Sequence, residues 1–148
     1  MEILFRAYFK VTRHAASKNE KKIRYNRRNG KSFIGKSDEA IAAEEWMLRV
    51  LQIEKIKKRI ETITCDVNLK AIFYIPKTVF YTNKGERKKT LIDLSNGYEL
   101  VQDCLQKTGI IENDTLICGH DGSRRMAIDG NEYYLEIELG KMCDDKES

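Results

Sequence analysis

Acidic residues recur through the segment that runs from Asp93 to Asp114. Asn96, Glu99 and Asp103 lie between these two, at spacings i, i+3 and i+7 that place them on one face of a predicted helix. Carboxylates brought close together repel one another, so a folded protein protonates some of them or binds a cation. Carboxylate oxygens are preferred ligands of hard divalent ions such as Mg²⁺, which activate water for phosphodiester hydrolysis. The segment therefore contains the donors that a metal-dependent phosphodiesterase needs.

A structural interpretation fits the same residues. Asp93 and Asn96 are good helix-capping residues, and Glu99 stands three positions after Asn96, as in a capping box. Asp114 then belongs to a turn after the helix. Spacing alone favours this interpretation.

The segment also resembles the core signature of the RusA family of Holliday junction resolvases. Asp93-Leu-Ser-Asn96 matches the family's Asp-x-Asp-Asn block, and Asp103-Cys-Leu105 matches the end of its helix. Gly109-Ile-Ile111 matches its turn, and Asn113-Asp114 matches its acidic pair. The similarity extends over about residues 3–139, but only the block 93–114 is specific.

The resemblance implies a Mg²⁺- or Mn²⁺-dependent endodeoxyribonuclease of recombination and repair. Such an enzyme acts as a homodimer whose two sites nick opposite strands of a four-way DNA junction. By this resemblance Asp93 and Asp114 are metal-binding carboxylates, with Asn96 and Asp103 in supporting roles. Ser95 stands where the family has a second aspartate, and Glu99 stands where it has a lysine.

These two departures lead to a specific prediction about the metal ligands. Ser95 supplies a neutral oxygen, which balances a divalent charge less well than a carboxylate does. If the helix begins at Asn96, Glu99 lies within reach of the helix N-terminus and beside Asp93. We therefore expect Asp93, Glu99 and Asp114 to be the catalytic metal ligands.

Charge is divided unevenly along the 148 residues, whose formal net charge is +4. Residues 1–92 contain 22 Lys/Arg and 10 Asp/Glu, whereas residues 93–148 contain 5 and 13. A basic half joined to an acidic one predicts a polyanion as partner, with phosphate contacts from the two basic stretches. The predicted DNA-binding cations are Lys18, Lys21, Lys22, Arg24, Arg27, Arg28, Lys31, Lys36, Arg87, Lys88 and Lys89.

Hydropathy patterns predict the elements that must position these residues. Period-2 alternation predicts strands over 3–11, 67–75 and 132–139, with a short strand over 116–119. Two amphipathic patterns predict helices, one opening at Ser37 and one at Asp93. The expected fold is α+β, a single two-layer domain over 1–140 with a mixed sheet and two helices packed on it. Residues 12–36 are expected to form a long basic loop and residues 141–148 a frayed acidic tail.

Several function classes find no support in the sequence. There is no Cys-x-x-Cys pair, no phosphate-cradling glycine loop, and only two histidines far apart. No run approaches the roughly 18 apolar residues of a membrane span, and we expect a cytoplasmic protein without a membrane partner. Two alternatives to the nuclease stay open. One is a catalytically inactive nucleic-acid-binding protein of the same fold, and the other is an unrelated basic α+β module.

Overall fold

The strand from Val67 to Pro76, β4, lies inside a mixed five-stranded sheet in the computed structural model of this chain. The structure describes residues 1–13, 21–88 and 94–142, and for residues 21–24, 33, 34, 36 and 94 it describes the backbone alone. The other strands of the sheet are β1 (Ile3–Val11), β5 (Ile117–Gly119), β6 (Arg124–Ile128) and β7 (Tyr133–Lys141). The remaining elements are β2 (Lys21–Asn26), β3 (Lys31–Lys36), α1 (Asp38–Lys57), α2 (Lys77–Phe80) and α3 (Leu94–Lys107).

Strand order in the sheet is β1-β7-β4-β5, with β6 also pairing with β4. β7 runs antiparallel to both β1 and β4, whereas β5 and β6 run parallel to β4. Parallel strands need a crossover connection, which usually contains a helix, and α3 lies in the connection between β4 and β5. The sheet is therefore mixed, which confirms the predicted α+β class.

One face of the sheet packs against α1 and α3. Alternate residues of the strands, such as Phe5, Leu69 and Leu135, join Met47 of α1 and Leu100 of α3 in one buried cluster. The two helices are linked by a 2.6 Å ion pair between Lys107 and Glu44. This arrangement is the predicted two-layer core.

The start of α1 and the end of α3 are the ones that the sequence predicts. Ser37 Oγ accepts a hydrogen bond from the amide of Ala40 and so caps α1. α3 ends in a Schellman motif, in which the amide of Ile110 bonds to the carbonyl of Leu105 and Gly109 adopts a φ of 74°. These contacts fix where the chain enters α1 and where it leaves α3.

The structure corrects four details of the prediction. Residues 21–36 form an antiparallel hairpin of β2 and β3, so the segment predicted as one long loop contains two strands. β6 and the single helical turn α2 were not predicted, so the described residues contain three α-helices rather than two. Strand β7 continues to Lys141, and the amide of Met142 bonds to the carbonyl of Asp66. The predicted tail therefore begins no earlier than residue 143, and residues 143–148 lie outside the described residues.

Among residues 1–13, 21–88 and 94–142, no helix has the length and apolar character required to cross a membrane.

A close contact between α3 and β4 depends on a glycine. A Cβ atom at Gly97 would lie 2.7 Å from Cζ of Phe73, whose side chain is buried. Helix propensity alone favours alanine over glycine by about 1 kcal/mol. The contact with Phe73 opposes this gain, because the packed ring has little space into which to move.

We expect Gly97→Ala to lower the free energy of unfolding by up to about 2 kcal/mol, because the usual overpacking cost of about 1–3 kcal/mol is reduced by the helix-propensity gain of about 1 kcal/mol. Urea denaturation of the wild-type protein and the variant measures this change. Phe73→Leu in the same chain removes the ring, so the double variant should lose less than the sum of the two single losses. Additive losses would contradict the proposed contact.

Candidate functional site

The polar side of α3 carries three of the predicted site residues. Asn96, Glu99 and Asp103 lie on this helix, with Glu99 exposed and the other two partly buried. The opposite side, with Leu100, Cys104 and other buried residues, is part of the core. The predicted amphipathic arrangement is therefore present, and it turns these polar residues away from the core.

The chain then turns back along α3 in a stretch that we call the return segment, residues 108–120. Its first part pairs with Ile63, whose amide donates to the carbonyl of Ile110 and whose carbonyl accepts from Glu112. Asn113 caps a 3₁₀ turn, Asp114–Leu116. The amide of Asp114 donates to Oε1 of Gln106 at 2.8 Å. The backbone of Asp114 thus lies beside Gln106, in the last turn of α3.

The predicted metal ligands are only partly covered by the structure. Asp93 lies outside the described residues. Glu99 precedes Gln106 by two helical turns, about 10 Å along the axis. Within the described ranges, no three His, Cys, Asp or Glu side chains converge to hold a metal ion. Oxygen donors suited to Mg²⁺ are thus present on α3 and the return segment, and the three-carboxylate site with Asp93 stays a prediction.

One local prediction about Glu99 is wrong. α3 begins at Leu94 rather than Asn96. Glu99 is therefore in the second turn, too far from the helix start to complete a capping box. Ser95 and Asn96 are tolerated inside the first turn, because packing of Leu100 and Val101 against the core outweighs their weak preference for caps. A helix-end position therefore cannot be what brings Glu99 to a metal ion.

Side chains replace part of the backbone ladder where β5 passes into β6. Side-chain Nδ2 of Asn68 donates to the backbone carbonyl of Asp121, and Oδ1 of Asn68 accepts from the backbone amide of Asp121. Ser123 Oγ donates to the carbonyl of Leu69 and accepts from the amide of Ala71. The chain can therefore leave the ladder at residues 120–123 without leaving the polar groups of β4 unpaired.

This interruption directs His120 toward α3. Gln102 Nε2 donates to Nε2 of His120 at 3.0 Å, and the ring of Tyr98 stacks on the imidazole with centroids 5.0 Å apart. Nδ1 of His120 is buried and has no hydrogen-bond partner in the described part of the chain. Burial raises the pKa of Tyr98, an effect that a hydrogen bond with Ser123 and the charge of Arg125 partly offset. Tyr98 is consequently uncharged at neutral pH.

His120 is not among the predicted site residues, because a lone histidine in a turn forms no sequence pattern. The signal available was the sequence His-Asp-Gly between two short strands. Such a turn places a side chain beside a sheet edge.

The predicted DNA-binding cations fall on two surfaces. The first is the basic hairpin, which we define as residues 21–36. At its turn Arg27 and Arg28 are exposed, as is Lys31 at the start of β3. Oδ1 of Asn26 accepts from the amide of Arg28, which stabilises the turn. Of the other predicted hairpin cations, Lys21, Lys22, Arg24 and Lys36 are described by their backbone alone, and Lys18 lies outside the described residues.

The second surface lies beside α2. The guanidinium of Arg87 lies 4.8 Å from the centre of the Phe80 ring, and Nζ of Lys88 donates to the carbonyl of Thr78. Both cations are thus held against the protein surface. Lys89 lies outside the described residues.

Comparison with protein-family models and with curated proteins returned no match.

The basic hairpin yields a prediction about salt dependence. Replacing Arg27, Arg28 and Lys31 with glutamine should weaken binding to all DNA sequences alike and reduce the slope of log K against log salt by about 2–3. Fluorescence anisotropy with a labelled four-way junction, titrated over a series of salt concentrations, measures the slope. An unchanged slope would place the DNA contacts elsewhere.

The interruption between β5 and β6 yields a prediction about stability. Ser123→Ala leaves a carbonyl and an amide of β4 without their partner, so we expect a loss of about 1–3 kcal/mol in the free energy of unfolding. The exposed Ser32 provides a control, because Ser32→Ala should change stability by no more than about 0.5 kcal/mol. Chemical denaturation of both variants measures the difference. Equal stabilities would show that Ser123 does not support β4.

Proposed function

We propose that this protein is a metal-dependent endodeoxyribonuclease that nicks branched DNA, with a four-way junction as substrate. The match of residues 93–114 to the RusA signature carries the proposal. The fold supports it, because α3 and the return segment hold Asn96, Glu99, Asp103 and Asp114 close to one helix. We further propose that the protein acts as a homodimer, whose two sites nick opposite strands.

Mg²⁺ or Mn²⁺ would be held by carboxylates of Asp93, Glu99 and Asp114. The bound ion would lower the pKa of a coordinated water and stabilise the leaving oxygen. The carboxylates of this chain would orient the ion and balance its charge. Asn96 and Asp103 would support the ligands from the same helix, as outer partners commonly do.

Phosphate contacts would come mainly from the basic hairpin. Arg27, Arg28 and Lys31 are exposed near its turn, where a DNA backbone has free access. Such contacts position the DNA without reading its sequence. The protein would therefore select its substrate by branched shape more than by base sequence. Cys65, Cys104 and Cys118 form no disulfide with one another, which suits the reducing cytoplasm, where we place this activity.

A second candidate function is binding of branched DNA without cleavage. It is favoured by the absence of a three-ligand cluster among the described residues and by Ser95 in place of an aspartate. Binding through the basic hairpin does not need a metal ion. Metal-dependent nicking therefore separates the two functions.

The test uses purified protein, a labelled four-way junction, and buffer with Mg²⁺, Mn²⁺ or a chelator. We expect nicks with either metal and none with the chelator. Glu99→Gln removes a ligand charge without changing side-chain size. It should reduce nicking by more than the roughly 10- to 100-fold that loss of a supporting residue costs. Junction binding should be unchanged.

Asp103→Asn is the matched control, since it removes one charge from the same helix and should cost no more than about 10- to 100-fold. Ser95→Asp should be tolerated. Normal nicking by Glu99→Gln would exclude Glu99 as a ligand. A wild-type protein that binds the junction and never nicks it would support the binding-only function.

A further inference from the structure

The face of the sheet that turns away from α1 and α3 carries a cluster of tyrosines. Tyr8 of β1, Tyr134 of β7 and Tyr74 of β4 lie on three neighbouring strands, one on each. They alternate with core residues such as Leu135 and Phe73, so they point to the opposite side. We call this surface the tyrosine face.

The three rings hold one another in fixed positions. Tyr8 stacks on Tyr134 with ring centroids 5.4 Å apart and planes 4° from parallel. Tyr8 and Tyr74 meet edge to face, with ring centroids 5.8 Å apart and an angle of 72° between the ring planes. Burial, and then the charge of Glu136, raise the pKa of Tyr74, so its ring is neutral at physiological pH. Tyr8 is nevertheless 58% exposed.

Cations surround these rings. Arg6 and Lys10 flank Tyr8 on β1, and Lys70 lies on β4. Arg124 lies on β6, where its backbone pairs with Ile72 of β4. Three carboxylates oppose these four cations, those of Glu132, Glu136 and Glu138.

Glu138 is occupied by two of the cations. Arg6 donates to Oε2 of Glu138 at 2.8 Å, and Nζ of Lys70 lies 3.5 Å from the same oxygen. Burial favours a higher pKa for Glu138, but the partners Arg6 and Lys70 lower it overall. Glu132 is paired with Lys10 at 3.0 Å. Cations therefore neutralise Glu132 and Glu138, whereas Glu136 lies near Tyr74, and the four cations of the face exceed its three carboxylates by one charge.

We infer that the tyrosine face binds single-stranded nucleic acid, with unpaired bases stacked on the rings of Tyr8 and Tyr134. Exposed aromatic rings stack on any base, and neighbouring cations contact the phosphates between bases. An open sheet face is flat and gives an extended strand room for two or three stacked bases. The proposal goes beyond metal-dependent nicking and does not depend on it.

Charge argues against a second copy of the chain as the occupant. Across a two-fold axis, like patches meet, so the cations of one face would approach those of the other. Stable homodimer interfaces also have apolar cores with few charges, whereas this face has charged residues on β1, β4, β6 and β7. A polyanion with aromatic bases suits the same surface better.

The test measures binding of a labelled oligothymidylate of about 12 nucleotides, within the range of single-strand site sizes. Anisotropy is recorded with a chelator present, so that no nicking occurs, and a duplex of equal length is measured in parallel. Tyr8→Leu should weaken single-strand binding by about 5- to 150-fold. Tyr8→Phe, which keeps the ring, should bind as the wild type does. Binding to the duplex should be the same in all three proteins.

Several outcomes would overturn the proposal. They are absence of single-strand binding by the wild-type protein, wild-type affinity in Tyr8→Leu, and equal weakening on the duplex. Loss of binding in Tyr25→Leu but not in Tyr8→Leu would assign the stacking to the basic hairpin instead. A dimer that Tyr8→Leu converts to a monomer without loss of binding would assign the face to self-association. Circular dichroism and thermal melting of Tyr8→Leu confirm that any loss does not come from unfolding.

Discussion

The pairing of β4 with parallel neighbours on one side and an antiparallel neighbour on the other determines most of this structure. A strand parallel to β4 requires the chain to cross over the sheet, and α3 lies in that crossover. Gly97 allows the helix to pack directly on Phe73 of β4. The return segment then follows α3 back toward the sheet. The pairing of β4 therefore determines where α3 and the return segment lie. These two parts contain the described residues of the candidate site, Asn96, Glu99, Asp103 and Asp114.

Long patterns with a clear period were predictable, because one interaction dominates each of them. β1, β4 and β7 each bury one face, and alternation of residues such as Phe5 and Ala7 reports this directly. α1 was predictable from Ser37 and the buried stripe that follows it. The end of α3 was predictable from Gly109, since the left-handed backbone conformation that ends a helix in a Schellman motif favours glycine.

The elements that escaped prediction are short or paired by non-local contacts. β2 and β3 have many cations, so their pairing with each other leaves no hydrophobic pattern in the sequence. β6 is five residues long and lies between two turns. The position of His120 depends on Asn68 of β4 and on Ser123 in the connection between β5 and β6, which are far apart in the sequence. No window of sequence contains these contacts together.

The two faces of the sheet separate two kinds of chemistry. The helices cover one face and present acidic side chains beyond it, whereas the opposite face presents tyrosines among cations. The excess of cations in residues 1–92 arises partly from this arrangement, because β1 and β4 supply Arg6, Lys10 and Lys70. Acidic and basic surfaces can thus coexist on a small domain without cancelling each other.

The pairing of β1 with β7 has a consequence for the order of folding. β1 forms its ladder with β7, which is far away in the sequence, over a register that joins Val11 to Tyr133 and Ile3 to Gly140. On the ribosome β1 leaves the exit tunnel long before its partner is synthesised, and it stays unpaired for that time. Such distant pairing slows folding, because a long loop must close before the contacts form. A chain that ends before β7 would leave both β1 and β4 with open edges, which promote aggregation.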